Sequence, residues 1–226
     1  MEGDIKNKIN ANFKILPKAT KDAFLFLSEQ KWIGENGWYL AGGTALALQS
    51  GNRVSVDLDF FTTQKDFDNN DILSNFLENK DWSAYINKKN TVYGTLYGAK
   101  MSFIAYPFFI PKTKFIDYGF IKILDQKDIA IMKIIAISQR GAKRDFFDLY
   151  WCVKNIDSLE NFVRKLKTQY PFIAHDYHHI IAALHYFGDA EQDNDPKIYF
   201  KASWKEVKEF FKKESLVLMD KIMDIK

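Results

Sequence analysis

The sequence predicts an α/β fold, a mixed sheet flanked by helices and followed by a helical C-terminal part. Three observations predict it. A short apolar strand runs through a glycine pair into a helix between Trp38 and Gln49, residues 54–60 alternate apolar and polar side chains, and the pattern from Asp125 onward is helical.

Taken in order, Ala23, Phe24, Leu25 and Leu27 form the apolar face of a helix over Pro17 to Gln30, ended in the region of Trp32, Gly34 and Gly37. Trp38 to Ala41 reads as a strand. Gly42 and Gly43 break it, Thr44 suits a helix N-cap, and Ala45 to Gln49 are helix formers that stop at Gly51 and Asn52. Val54, Val56, Leu58 and Phe60 then alternate with Ser55, Asp57 and Asp59, the period of a strand with one buried face. Asp71 to Glu78 suggests a helix. Thr91–Gly98 and Ala99–Tyr106 suggest a hairpin turned at Gly98 and ended by Pro107 and Pro111. A short strand near Phe120 to Ile123 precedes a helix capped by Asp125, with Asp128 at capping-box spacing. The change of pattern sets a first domain at 1–155 and a helical region at 156–226, with no repeat or low-complexity linker between them.

With 47% hydrophobic and 16% aromatic residues, the 226-residue chain has material for a proper core, which excludes a disordered protein. Its 32 basic and 29 acidic residues leave a net charge of only +3, so any basic surface must be local. Cys152 is the only cysteine, which excludes an intramolecular disulfide and a cysteine-rich zinc site and suits a core position. The N-terminus lacks the apolar run of a signal peptide, and no segment has the roughly 18 to 20 apolar residues of a membrane span. A soluble, cytoplasmic protein without membrane contact is expected.

Asp57 and Asp59 are the first candidates for chemistry. Side chains at i and i+2 of a strand share a face, roughly 7 Å apart, so both carboxylates can reach one Mg²⁺. An exposed acidic pair on an edge strand is the alternative. Upstream, a glycine pair that opens a helix lets backbone N–H groups and the positive helix end approach a phosphate, although an ordinary strand-to-helix turn has the same appearance. A phosphate cradle beside a metal-binding strand makes a nucleotide site.

The run AGGTALALQSGNRVSVDLDFF, from Ala41 to Phe61, resembles the polymerase-beta-like nucleotidyltransferase superfamily, in which a Gly-Gly-Ser/Thr helix start precedes an Asp-x-Asp strand. Together with KIIAISQRGAKRDFFDLYW, from Lys133 to Trp151, it resembles more narrowly the AbiEii/AbiGii toxin family, over roughly residues 20 to 155. The resemblance implies a nucleotidyltransferase toxin of a toxin-antitoxin or abortive-infection system, moving a nucleotide from an NTP to an acceptor hydroxyl, with tRNA 3′ ends the best-supported acceptor. A cognate antitoxin is the implied partner. On this reading Asp57 and Asp59 bind Mg²⁺, while Gly42, Gly43, Thr44, Ser55, Arg140 and Lys143 contact the nucleotide. Lys133, Asp145 and Asp148 complete the catalytic set.

Lys133 also stands out unaided, with Ile129 and Ala130 a turn before it and Ile137 a turn after, so its ammonium must seek a polar partner, either a carboxylate or a nucleotide phosphate. Asp145 and Asp148 fall together at i, i+3 beside the apolar stripe of Phe146, Leu149, Tyr150 and Val153; Asp145 as a cap and Arg144 with Asp148 as an exposed pair are the plainer alternatives. The superfamily resemblance implies a third acid on a later strand, but the natural strand, AKMSFIAY over Ala99 to Tyr106, has none, which leaves Asp145 or Asp148 as the candidate base. The same residues would serve nucleotidylylation of a protein side chain, and the missing acid leaves open a silent binding module.

His175 and His179 have i, i+4 zinc spacing but lack the acid that a metalloprotease helix requires, so helix-surface or acceptor-contact residues are the expectation. Tyr85, Tyr93, Tyr97, Tyr106 and Phe108 suit either strand packing or a groove in which bases stack. The segment 201–226 is amphipathic and basic, suiting either an RNA backbone or plain solvation.

Overall fold

The computed structural model describes residues 11–221, which form two compact units that divide between Asp125 and Gln126. A catalytic region reaching to 155 would therefore take in the first unit and the first two helices of the second.

In the first unit a 3-10 turn, Phe13–Ile15, precedes helices α1 (Lys18–Ser28) and α2 (Lys31–Glu35), the latter occupying the region expected to end the first helix. Strand β1 (Tyr39–Ala41) leads into helix α3 (Gly42–Ser50), and β2 (Leu58–Thr62) follows. Helix α4 (Asn69–Leu73) continues as a 3-10 turn, Ser74–Phe76. Strands β3 (Trp82–Lys88), β4 (Thr91–Leu96), β5 (Ala99–Ala105), β6 (Ile116–Tyr118) and β7 (Ile121–Ile123) complete it. The seven strands form one mixed sheet in the order β3-β4-β5-β2-β1-β7-β6. The contacts β2–β5 and β1–β7 are parallel and the rest antiparallel. One face of the sheet is a dense apolar layer, with the Phe60 and Phe103 rings stacked 5.2 Å apart and Phe76 on Trp82 at 4.2 Å. Trp82 in turn covers Gly94, where any Cβ would overlap its ring.

Two boundaries shift near the glycine pair. Thr44 is not the N-cap: α3 starts at Gly42 with Ala41 as cap, and Thr44 is buried inside the first turn. The strand expected over 54–60 is ordered as a strand only from Leu58, because side-chain donors take the carbonyls before it. Arg53 Nη1 donates to Val54 O at 2.9 Å, Thr20 Oγ1 to Val56 O at 2.9 Å, and Thr44 Oγ1 to Asp57 O. Burial in this stretch is the reverse of the expected alternation, with Arg53 and Ser55 buried and Val56 exposed.

The second unit is helical among the described residues: α5 (Gln126–Arg140), α6 (Lys143–Asn155), α7 (Leu159–Gln169), α8 (Tyr177–His185), α9 (Gly188–Glu191) and α10 (Trp204–Asp220). Helix α5 packs on α6, α7 and α8, and α10 packs on α8 and α6. Buried Ile134, Phe146, Leu149, Phe162, Ile181 and Phe211 supply the apolar core, where removal from water is the main stabilising term. Cys152 is buried here, as its setting in the sequence suggests. Asp128 is also buried and accepts from Gln169 Nε2 at 2.6 Å.

Candidate active site

The candidate residues of the first unit converge on the start of α3. Gly42 has φ +71°, a conformation costly for residues with a Cβ, and a Cβ there would lie 3.0 Å from Asp59 Oδ2. Gly43 is required for a different reason: a Cβ would overlap the Arg53 guanidinium and lie 3.1 Å from Ser55 Oγ. The Asp-x-Asp segment thus lies directly against the helix start, and the register Ala41↔Asp59 fixes that approach.

The two aspartates are half-buried. Asp59 stands on β2 with its Oδ1 accepting from Ser102 Oγ at 2.8 Å, and Ser102 is its register partner on β5. Asp57 is anchored through its backbone, since Thr44 Oγ1 donates to its carbonyl. Thr44 and Ser55 are further joined, hydroxyl to hydroxyl, at 2.9 Å. Both hydroxyls are buried, so they tie the helix to the acidic segment. That is a different position from the expected direct contact with a nucleotide. The strand expected to hold a third acid instead presents the hydroxyl of Ser102.

Two carboxylates without a third acid or histidine suit a magnesium site completed by substrate phosphates and water. No group of three or more candidate metal ligands occurs among the described residues. The first turn of α3, which its own N-cap Ala41 leaves without a side-chain acceptor, adds backbone N–H groups and the positive helix end.

The candidates of the second unit form a buried charge network. Lys133 Nζ bonds Asp145 Oδ1 at 2.6 Å and Asp148 Oδ2 at 2.7 Å, and neither carboxylate has any exposed side-chain surface. Arg140 Nε and Nη2 both bond Asp145 Oδ2 at 2.8 Å, while 53% of the Arg140 side chain remains exposed. Burial pushes the Asp145 carboxyl up, but the charges of Lys133 and Arg140 outweigh it and hold the group below its ordinary value. These placements remove the two plainer alternatives and correct one expectation. Asp145 is not a side-chain cap, Asp148 is not half of an exposed pair, and neither buried carboxylate is placed as a general base. Lys133 meets carboxylates, as the plainer alternative had it.

Lys143 is likewise committed. Its Nζ bonds Asp193 O at 2.5 Å and Asp195 Oδ1 at 3.0 Å and lies 5.4 Å from the Trp204 ring centre, so it clamps residues 193–195 to α6. A buried ammonium so enclosed is not placed as a phosphate ligand. The zinc spacing also dissolves: His175 precedes α8 and approaches Tyr170 O at 3.1 Å, while His179 approaches Ser138 O at 3.2 Å.

Arg53 and Ser102 join the site without having stood out in the sequence. The signal for Arg53 was present, since the period of Ser55, Asp57 and Asp59 extends back to it. For Ser102 no signal existed without the register of β2 on β5.

Comparison with known proteins places this geometry in a family. The chain matches "Nucleotidyl transferase AbiEii toxin, Type IV TA system" over residues 26–97 and 107–216. It is 39% identical over 186 residues to an uncharacterized protein of Aquifex aeolicus (strain VF5), covering 79% of this chain and 86% of that one. Among solved structures it is similar in fold to MenT4, a nucleotidyltransferase toxin from Mycobacterium tuberculosis H37Rv, with a TM-score of 0.52 and 12% identity over 90% of this chain and 86% of MenT4. With most of its length matched, the chain belongs to the AbiEii nucleotidyltransferase toxin family of type IV toxin-antitoxin systems.

Proposed function

We propose that this nucleotidyltransferase moves a nucleotide from an NTP to a terminal hydroxyl of RNA, a tRNA 3′ end, using Mg²⁺ held by Asp57 and Asp59. The observation that carries the reading is the approach of the Asp59 carboxylate to Gly42, which brings an acidic group to the positive end of α3. The N–H groups of Gly43 and Thr44 would hold the phosphates. Magnesium, when bound, neutralises phosphate charge and stabilises the departing pyrophosphate.

The chain's own residues orient this arrangement. Ser102 fixes the rotamer of Asp59 by donating to Oδ1, leaving Oδ2 on the Gly42 side. Thr44 and Ser55 lock the acidic segment to the helix, and the Arg53 guanidinium beside Gly43 adds positive charge near the phosphate cradle. In the second unit, Asp145 and Asp148 serve as positioning residues for Lys133, and Asp145 also for Arg140. Of these, half-exposed Arg140 is the better placed to meet an anion from solution. As a type IV family member the toxin would be paired with an antitoxin.

The test is incubation of purified protein with Mg²⁺, each α-labelled NTP in turn and total tRNA, beside the Asp57→Ala, Asp59→Ala double variant. Label in RNA from the wild type alone supports the reading and names the nucleotide. Label in protein instead of RNA would replace the acceptor, and equal labelling by the variant would remove both aspartates from the mechanism.

A further inference from the structure

The face of the sheet that carries Asp59 continues past the acid to a pair of stacked tyrosines. Residues directly opposite one another in neighbouring strands share a face. The register runs Ala41↔Asp59, Asp59↔Ser102 and Tyr93↔Ser102, so one row crosses β1, β2, β5 and β4 from the glycine turn through the acid to Tyr93. Tyr93 therefore stands two strands from Asp59, about 10 Å away at the usual strand spacing. Beyond it, the register of β3 on β4 slips between Ala84 and Ile86, and Tyr85, in that irregularity, stacks on Tyr93 at 6.2 Å with 19° between rings. Tyr85 is 55% exposed. The remaining aromatics of the set considered above pack elsewhere: Tyr97 against Phe26, and Tyr106 against Phe61 and Phe108.

Charge on this face fits a nucleic-acid backbone. Lys100 is opposite Thr95 and Lys88 opposite Thr91, residues of the same face as Tyr93, and both lysines are exposed. Strands β3, β4 and β5 contain no Asp or Glu.

We infer that Tyr93 and Tyr85 form the platform on which the terminal base of the RNA acceptor stacks, with Lys100 and Lys88 beside its phosphates. The inference rests on the proposed reading that the acceptor is RNA. Its direction follows from in-line displacement, in which the attacking hydroxyl and the departing pyrophosphate occupy opposite sides of the α-phosphorus. With the phosphates at the α3 start, at one end of the row, the attacking strand must come from the β5 and β4 end, where the tyrosines stand. An aromatic face accepts any base, so the platform would select for a single-stranded end and not for sequence.

The test is binding without turnover, in EDTA, of a labelled single-stranded RNA with a free 3′ hydroxyl, followed by fluorescence anisotropy, beside the same RNA with an abasic 3′ nucleotide. The wild type is expected to bind the intact RNA about tenfold more tightly than the abasic one, the usual scale for one stacked base. The Tyr85→Ala, Tyr93→Ala double variant should bind both RNAs alike, Tyr93→Phe should retain the preference, and NTP affinity by calorimetry should not move. Equal binding of the two RNAs by the wild type overturns the proposal whatever the variants do. A loss confined to NTP affinity would assign the platform to the incoming nucleotide, and also overturns it. Because no transfer is measured, a preference for the intact end stands even if the labelling experiment places the transferred nucleotide elsewhere.

Discussion

Gly42 and Gly43 stand in one turn but fail differently when replaced. Gly43→Ala would force the Arg53 guanidinium aside, and Gly42→Ala would add about 1–2 kcal/mol of backbone strain while crowding Asp59 Oδ2. Both should lose transfer activity, and Gly42→Ala should also lower the urea midpoint; a Gly43→Ala protein with full activity would remove Arg53 from the account. Lys133→Met should destabilise by about 3–5 kcal/mol in urea unfolding, because it removes the buried ammonium that Asp145 and Asp148 share. At this scale the strand period did not hold at Asp57, which lies before β2, but Asp59 and the glycine pair were legible in the sequence. The partners of Lys133 were not, since i and i+12 across two helices can be matched only by packing. Thr44 was misplaced as a cap because a hydroxyl after two glycines has the same local appearance whether it caps a helix or bonds a neighbouring strand.

Among elements, the helices and the inner strands were readable because their apolar residues recur at the right period. Strand β3 was not: it lies at the sheet edge with most residues exposed, and WSAYINK has no alternation to mark it. Strand β6 is only three residues long and has no buried residue, so it too leaves no pattern. Its partner β7 follows within the expected Phe120 to Ile123 segment. A simple test at this scale is α10, whose N-terminus carries a complete capping box, Ser203 with Glu206. Ser203→Ala should cost about 1 kcal/mol in chemical unfolding. No change would mean that packing on α8 and α6 alone holds the helix end.

For the molecule as a whole, the second unit contributes a pH-dependent term. Asp145 is held below its ordinary value of 3.8 in the folded chain, so its contribution is complete above that pH and is lost as acid titrates it below. The unfolding midpoint of the wild type should therefore fall more steeply below about pH 4 than that of Asp145→Asn; parallel curves would contradict the network. No helix of the described residues is long and apolar enough to cross a membrane. The fold class followed from the pattern of elements, and the family from two short runs, but the face that joins acid, hydroxyl and tyrosines depends on strand order, which periodicity does not encode. The most direct measurement for the central claim is a crystal structure with Mg²⁺ and a non-hydrolysable NTP. The ion is expected between Asp57 and Asp59 with triphosphate oxygens on the N–H groups of Gly43 and Thr44; a nucleotide bound elsewhere, with those groups untouched, would contradict this site.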